Sequence, residues 1–257
     1  MGQPILEIKK QLYQDLGYTL HYKLTPTELE VMRRLVFEQY LSVIESNYPQ
    51  YLEKFQSAGI ENYHSLSHLV DHSGIWFKLN RCLLQPSCEA IKSLSFWSVL
   101  KNDFGPFKTG EVVYERSIEK GRDEMYWRIV RPNQPTDVGT LHADAWFHKT
   151  MKIRDRAFPE GAHALKIWIP LYVEPGKNGL AIIEDSHQKS WDYRAEDIEN
   201  TMKPRLNGDE SLLPTKLLDT PPGQVVIFNE DLVHVGAVNR GNFTRISLEI
   251  TLIKTAC

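Results

Sequence analysis

From about residue 105 onward the chain alternates short apolar, β-branched stretches with turn-forming residues, and no helical stripe intervenes. The stretches 111–117, 125–130, 165–173, 180–184, 224–228 and 246–253 each have strand length and composition. Pro175-Gly176-Lys177-Asn178-Gly179 and Pro221-Pro222-Gly223 are strong turn signals between them. Strands that follow one another without crossover helices pair antiparallel, so this part predicts a sandwich or jelly roll. The polar insert 191–218 is placed over one end of it.

Before residue 105 the period changes. Thr25-Pro26-Thr27-Glu28 reads as a helix start, with Thr25 as cap, Pro26 in the first helical position and Glu28 closing a capping box. Leu29, Met32, Val36, Tyr40 and Val43 then recur at spacings of three and four. Gly17 to Leu24 reads as a short strand, and Glu89 to Leu100 as a further helix. The expectation is a mainly β protein with flanking helices. One domain spans 1–257, divided into a mainly helical flank (1–104) and a jelly-roll core (105–257).

Composition excludes several classes. The 257 residues carry 30 Lys+Arg against 33 Asp+Glu, a net charge of −3, which lacks the basic excess of a nucleic-acid binder. No apolar run approaches the ~20 residues that a membrane span needs. Met1 to Lys10 holds Glu7, Lys9 and Lys10 with no apolar stretch, so no secretory signal is expected. The three cysteines, Cys82, Cys88 and Cys257, follow no disulfide or zinc spacing, which fits a reducing cytoplasm. A small molecule is the expected partner, and oligomeric state is left open.

The chemistry concentrates at Leu141-His142-Ala143-Asp144. Residues i and i+2 of an extended chain point to one side, so His142 and Asp144 can take adjacent positions on one metal. His234, just after the predicted strand 224–228, supplies a third ligand. Two histidines and one carboxylate leave the opposite face of an octahedral ion open, the arrangement of non-heme Fe(II) oxygenases. Eleven residues later, Arg245 and Ser247 share a strand face, and a guanidinium fork beside a hydroxyl suits the far carboxylate of a short diacid such as 2-oxoglutarate. His64, His68 and His72 are spaced for one helix face, with Glu61 as the only carboxylate able to join them, but a polar helix face or pocket edge is the favoured reading. His148, after Trp146-Phe147, approaches the pocket or lies at the surface. His21 and His163 carry no signal.

These residues together resemble the phytanoyl-CoA dioxygenase-like branch of the Fe(II)/2-oxoglutarate-dependent oxygenases. Gly17-Tyr18 through Leu24-Thr25-Pro26-Thr27-Glu28-Leu29 is similar to that family's opening strand and helix. His142-x-Asp144 resembles its metal dyad, and Trp168-Ile169-Pro170-Leu171 the strand whose Trp borders the cosubstrate. Asn178-Gly179-Leu180 with Ser186-His187, and Pro222 to Phe228 followed by His234, Asn239 and Arg245, resemble its later turn and closing stretch. Leu180 directly after Gly179, Asp185 in place of Gly, and Gln224 in place of Asp depart from the pattern. The resemblance implies a double-stranded β-helix (cupin-like), Fe(II) on His142, Asp144 and His234, and 2-oxoglutarate held by Arg245, Ser247 and Trp168. It further implies oxidative decarboxylation to succinate and CO2, with O2 as oxidant, and hydroxylation or oxidative dealkylation of a substrate. A halogenase of this kind needs the position of Asp144 vacant.

Arg128, which shares strand parity with Tyr126 and Val130, and Trp146 are candidate substrate contacts. Arg131, Lys149, Lys152, Arg154 and Arg156 add positive charge nearby, although a solvated loop explains the last four equally well. A polar metabolite, such as a natural-product intermediate or glycan precursor, fits better than a long acyl chain. Two rivals keep the scaffold: a non-catalytic cupin-like binding protein, which has no need of Arg245-x-Ser247, and a zinc-dependent hydrolase or isomerase, since zinc also takes three protein ligands plus water.

Overall fold

In the computed structural model, residues 3–112, 121–151, 158–198 and 201–254 are described. The capping box forms as the sequence predicts. Thr25 Oγ1 accepts from the Glu28 amide, and a Glu28 carboxylate oxygen accepts from the Thr25 amide. That box starts α2 (Pro26–Asn47), whose Met32, Val36 and Tyr40 are fully buried while Leu29 and Val43 lie at the edge of the core. α1 (Gln3–Tyr13) precedes it. The short helices α3 (Leu52–Ala58), α4 (Tyr63–Leu66) and α5 (His72–Ile75) follow.

The single helix expected over Glu89–Leu100 is two, α6 (Gln85–Lys92) and α7 (Ser95–Phe104). The reason is tertiary. Glu28 Oε1, reaching across from α2, accepts from Ser95 Oγ and the Phe96 amide, both at 2.7 Å, and so satisfies a fresh helix N-terminus. A continuous apolar periodicity carries no trace of a cap supplied from elsewhere.

The strands are β1 (Tyr18–Thr19), β2 (Lys108–Thr109), β3 (Met125–Val130), β4 (His163–Tyr172), β5 (Leu180–Ile182), β6 (Tyr193–Ile198), β7 (Thr201–Leu206), β8 (Lys216–Leu217), β9 (Val226–Asn229), β10 (His234–Gly236) and β11 (Arg245–Lys254). All pairings among them are antiparallel. The larger sheet runs β1-β9-β4-β11-β2, with β3 also on β11, and the smaller runs β10-β5-β8. They do not close into a barrel; they face each other as the two layers of a double-stranded β-helix, flanked by helices. Of the expected strand 111–117, Glu111 bridges Asp123, and residues 113–117 lie outside the described ones. The insert 191–218 is no featureless cover. It folds as the β6–β7 hairpin, and Tyr193, Leu206 and Leu213 pack with Leu141, Ala143 and Trp146.

Parity decides everything about the larger sheet, because successive side chains take opposite faces. Ile167 and Ile169 on β4, Leu248 and Ile250 on β11, and Trp127 on β3 join the helices in one core. The opposite parity turns inward. Trp168, Val226 and Phe228 pack there against Leu180 and Ile182 of the smaller sheet. On that same inner face the apolar pattern breaks at Arg128, Lys166, Arg245, Ser247 and Glu249.

Candidate metal and cosubstrate site

His142 and His234 are brought together by backbone. Each amide donates to the other's carbonyl, at 3.0 and 2.8 Å, and their ring centroids lie 4.6 Å apart. Each ring is then fixed by the carbonyl two residues back, His142 Nδ1 to Thr140 at 2.6 Å and His234 Nδ1 to Leu232 at 2.9 Å. A carbonyl only accepts, so Nδ1 carries the proton in both rings and Nε2 keeps a free lone pair. Burial and the neighbouring His234 pull the His142 pKa down to about 4, so this ring is neutral at pH 7.

Asp144 is not on a strand, as the period-two argument assumed. It is the first residue of α8 (Asp144–Thr150), but Ala143 before it is extended (φ −107°, ψ 143°), and this keeps His142 and Asp144 on one side. Asp144 Oδ2 lies 3.9 Å from His234 Nε2 and is buried with no hydrogen-bond partner. Burial opposes its ionisation, yet the Lys166 ammonium and the surrounding histidines hold the carboxyl well below the usual carboxylate range. The three ligand atoms lie within 4.8 Å of one another, and among the described residues no other group of His, Cys, Asp and Glu does so. Two free imidazole nitrogens and an orphaned carboxylate oxygen that converge on one point fit a divalent metal.

A pocket opens beside the triad, lined by His142, His234, Trp168, Phe228, Arg245 and Arg128 among others. Arg245 is 1% exposed, and its Nη1 donates to the Gly179 carbonyl. Its Nε and the Ser247 hydroxyl are buried without partners. Burial and the nearby Arg128 lower the Arg245 pKa to about 10, which leaves it charged at pH 7. A desolvated guanidinium with no carboxylate in ion-pair distance among the described residues, next to an unsatisfied hydroxyl, fits an anionic guest.

Arg128 faces inward and lines the pocket, the inward one of the two faces its strand parity left open. Its Nε donates to Glu249 Oε1 at 2.6 Å and its Nη2 to the Tyr126 hydroxyl at 3.2 Å, while Tyr126 donates to Glu249. Burial opposes ionisation of Glu249, but Arg128 and Lys166 bring its pKa down to about 2. Trp146 is different. It is buried among Leu141, Ile183 and Val233, stacks on Tyr193 at 4.7 Å, and does not line the cavity, so it supports the dyad segment from behind. Arg131 is occupied by Asp137 through Nε and Nη2. Lys149 is exposed, and Lys152, Arg154 and Arg156 lie outside the described residues. His148 is turned to Glu230 at 3.1 Å.

His64, His68 and His72 do not share a face, because the chain changes from α4 through a 3₁₀ turn to α5 between them. His64 bonds the Thr244 hydroxyl, and His72 the Tyr63 hydroxyl. The three departures in sequence also find physical reasons. Asp185 takes a positive φ of 59°, the conformation for which glycine is the usual choice. The Gln224 side chain donates to the carbonyls of Leu20 and Tyr22 and stitches the opening segment to the sheet. Gly179, tightened against Leu180, presents its carbonyl to Arg245. Lys166 and Glu249 escaped the motif reading. Their signal is a charged residue at inward parity inside an apolar strand.

Residues 107–247, more than half of the chain, match the family described as phytanoyl-CoA dioxygenase (PhyH). The chain belongs to this family. Among curated protein sequences no match was found. Solved structures with the same fold include AviO1 from Streptomyces viridochromogenes Tue57, at TM-score 0.56 and 13% identity over 100% of this chain and 98% of that one. The non-heme α-ketoglutarate-dependent carbocyclase SnoK from nogalamycin biosynthesis aligns at 0.54 and 12%, over 99% and 84%. The epimerase SnoN, in complex with Fe3+, α-ketoglutarate and nogalamycin RO, aligns at 0.52 and 13%, over 98% and 84%. At such identities the likeness is one of fold. No helix among the described residues is long and apolar enough to cross a membrane.

Proposed function

We propose that this chain is an Fe(II)- and 2-oxoglutarate-dependent oxygenase that hydroxylates or oxidatively dealkylates a small polar metabolite. The observation that carries the reading is the buried, unpartnered Asp144 Oδ2 facing two imidazoles whose Nε2 atoms are both free. His142, Asp144 and His234 would hold Fe(II) on one face, and with 2-oxoglutarate and O2 bound the metal supplies C–H oxidation. Arg245 would pair with the distal carboxylate of 2-oxoglutarate, Ser247 would donate to it, and Trp168 would wall it. Phe228 and Leu180 line the same cavity and keep water from the reacting end. Arg128 and Glu249 on the cavity wall favour a substrate with hydrogen-bonding groups over a long acyl chain.

The test is reconstitution with Fe(II) and 2-oxoglutarate, with succinate measured under air and under nitrogen. Succinate formed only with iron and only under air supports the reading. A zinc hydrolase is insensitive to nitrogen, and a binding protein makes no succinate in either atmosphere, even when candidate metabolites are screened for stimulation.

A further inference from the structure

Lys166 is a buried cation that the reading above leaves without a role. It lies on β4 at inward parity, two residues before Trp168, with its side chain 8% exposed. Its Nζ donates to Thr251 Oγ1 at 3.2 Å and sits 5.2 Å from the Tyr126 ring centroid. It also lies 4.0 Å from Asp144, and the oxygen concerned is Oδ1. The other oxygen, Oδ2, is the one 3.9 Å from His234 Nε2 with no hydrogen-bond partner. The two ends of one carboxylate therefore face different neighbours, an ammonium of the protein on one side and the convergence of the imidazoles on the other.

We propose that Lys166 is a positioning residue that holds Asp144 Oδ1 and so offers the metal a single oxygen, Oδ2. The proposal rests on the metal triad assigned above and adds a function for a residue outside it. A carboxylate can bind a cation through one oxygen or two, and its terminal torsion is broad and two-fold, so the backbone of α8 alone does not choose. An ammonium on one side removes that degeneracy. The choice matters because three protein ligands leave three positions on an octahedral ion. A chelating keto acid would fill two of them, and the oxidant would need the third kept open. Asp144 bound through both oxygens would consume one of them.

The surroundings fix the cation as well as the carboxylate. Thr251 and the Tyr126 ring grip the Lys166 head from β11 and β3, the strands beside and beyond it. Glu249, two residues from Thr251, is engaged by Arg128 through a short ionic hydrogen bond, so it does not draw Lys166 away. A buried ion pair at this inward position is expensive to desolvate, and an apolar residue would suit the sheet better. Orientation of a metal ligand is a function that explains why a lysine stands there.

Co(II) is the probe, added to wild type, Lys166→Met, Lys166→Arg and His142→Ala. The readouts are the visible absorption of bound Co(II), calorimetric binding of 2-oxoglutarate to the Co(II) form, and melting of the apoprotein. Lys166→Met should bind Co(II) with an altered visible band and about 10–100-fold more weakly, the usual effect of losing a group that orients a metal ligand, and the Co(II) form should bind 2-oxoglutarate more weakly than wild type does. Lys166→Arg should restore all three. A Lys166→Met spectrum that superposes on wild type, with 2-oxoglutarate affinity unchanged, overturns the proposal while the triad stands, even if melting drops. Wild type that binds no Co(II), or His142→Ala that binds it unaltered, removes the triad and the proposal with it. Should Lys166→Met fail to fold, Lys166→Gln, which keeps a hydrogen bond and lacks the charge, is read in the same way.

Discussion

Arg245→Met separates cosubstrate binding from folding. In the apoprotein Arg245 is a desolvated cation whose one acceptor among the described residues is the Gly179 carbonyl, and that carbonyl also accepts the Ala237 amide at 2.9 Å. Methionine therefore removes a buried charge without orphaning its partner, and the apoprotein should melt within a few degrees of wild type. The loss appears with the ligand. A hydrogen bond between charged groups contributes ~1.5–3 kcal/mol, so a central value of ~2 kcal/mol weakens 2-oxoglutarate about 30-fold. At a concentration about 100 times the wild-type Kd, the ligand stabilises wild type by ~2.7 kcal/mol and the variant by only ~0.9 kcal/mol. For a chain of this size that difference corresponds to a ligand-induced rise in Tm smaller by about 4–7 °C. Thermal melts with Mn(II) and graded 2-oxoglutarate, kept anaerobic, measure it. Equal ligand-induced shifts in the two proteins would refute the placement of the carboxylate at Arg245.

Four further outcomes are expected. His142→Ala or His234→Ala should lower bound iron and abolish succinate formation, measured by metal analysis beside product assay, since each would remove one of the three proposed ligands. Gly236→Ala places a Cβ 2.9 Å from Arg245 Nη2, so the flexible guanidinium must move; 2-oxoglutarate affinity should fall while circular dichroism stays unchanged. Burial would raise the Glu28 pKa, but hydrogen bonds from the Thr25 and Phe96 amides and the Ser95 and Thr25 hydroxyls lower it overall. Its stabilisation is thus complete above the unfolded carboxyl range and fades as pH falls through the lowered folded value. Glu28→Gln should cost about 1 kcal/mol near pH 7 and flatten the acid limb of a denaturation series. With Asp144 on the metal, turnover in high chloride should give oxygenated products and no halogenated ones by mass spectrometry; a chlorinated product would take Asp144 off the metal.

Much of the site was legible because its residues obey local rules. His142 and Asp144 are two apart, and Arg245 and Ser247 are two apart, so period-two geometry groups each pair before any fold is known. The bounds of β3 also follow from Met125–Val130 alone. The break between α6 and α7 was not legible, since its cause is Glu28, far away in sequence. The His64, His68 and His72 stripe was read on a helix that the chain does not sustain. Trp146 was drawn toward the substrate by its place beside the dyad, whereas the β6–β7 hairpin offers it Tyr193 to stack on.

The sequence by itself determined the strand-rich half, the capped α2 and the shared strand face of Tyr126, Arg128 and Val130, because alternation and capping depend on neighbours along the chain. Only the tertiary structure decided which charges meet. Lys166 and Asp144, or Arg128 and Glu249, carry no sign of each other in the sequence, because register between strands is a long-range choice. Much of the inner face is withdrawn from water, so a charge there is costly unless a partner from another strand comes within reach. The register that results leaves Asp144 Oδ1 toward Lys166 and Oδ2 toward His234, and leaves Arg245 with no carboxylate in ion-pair reach among the described residues.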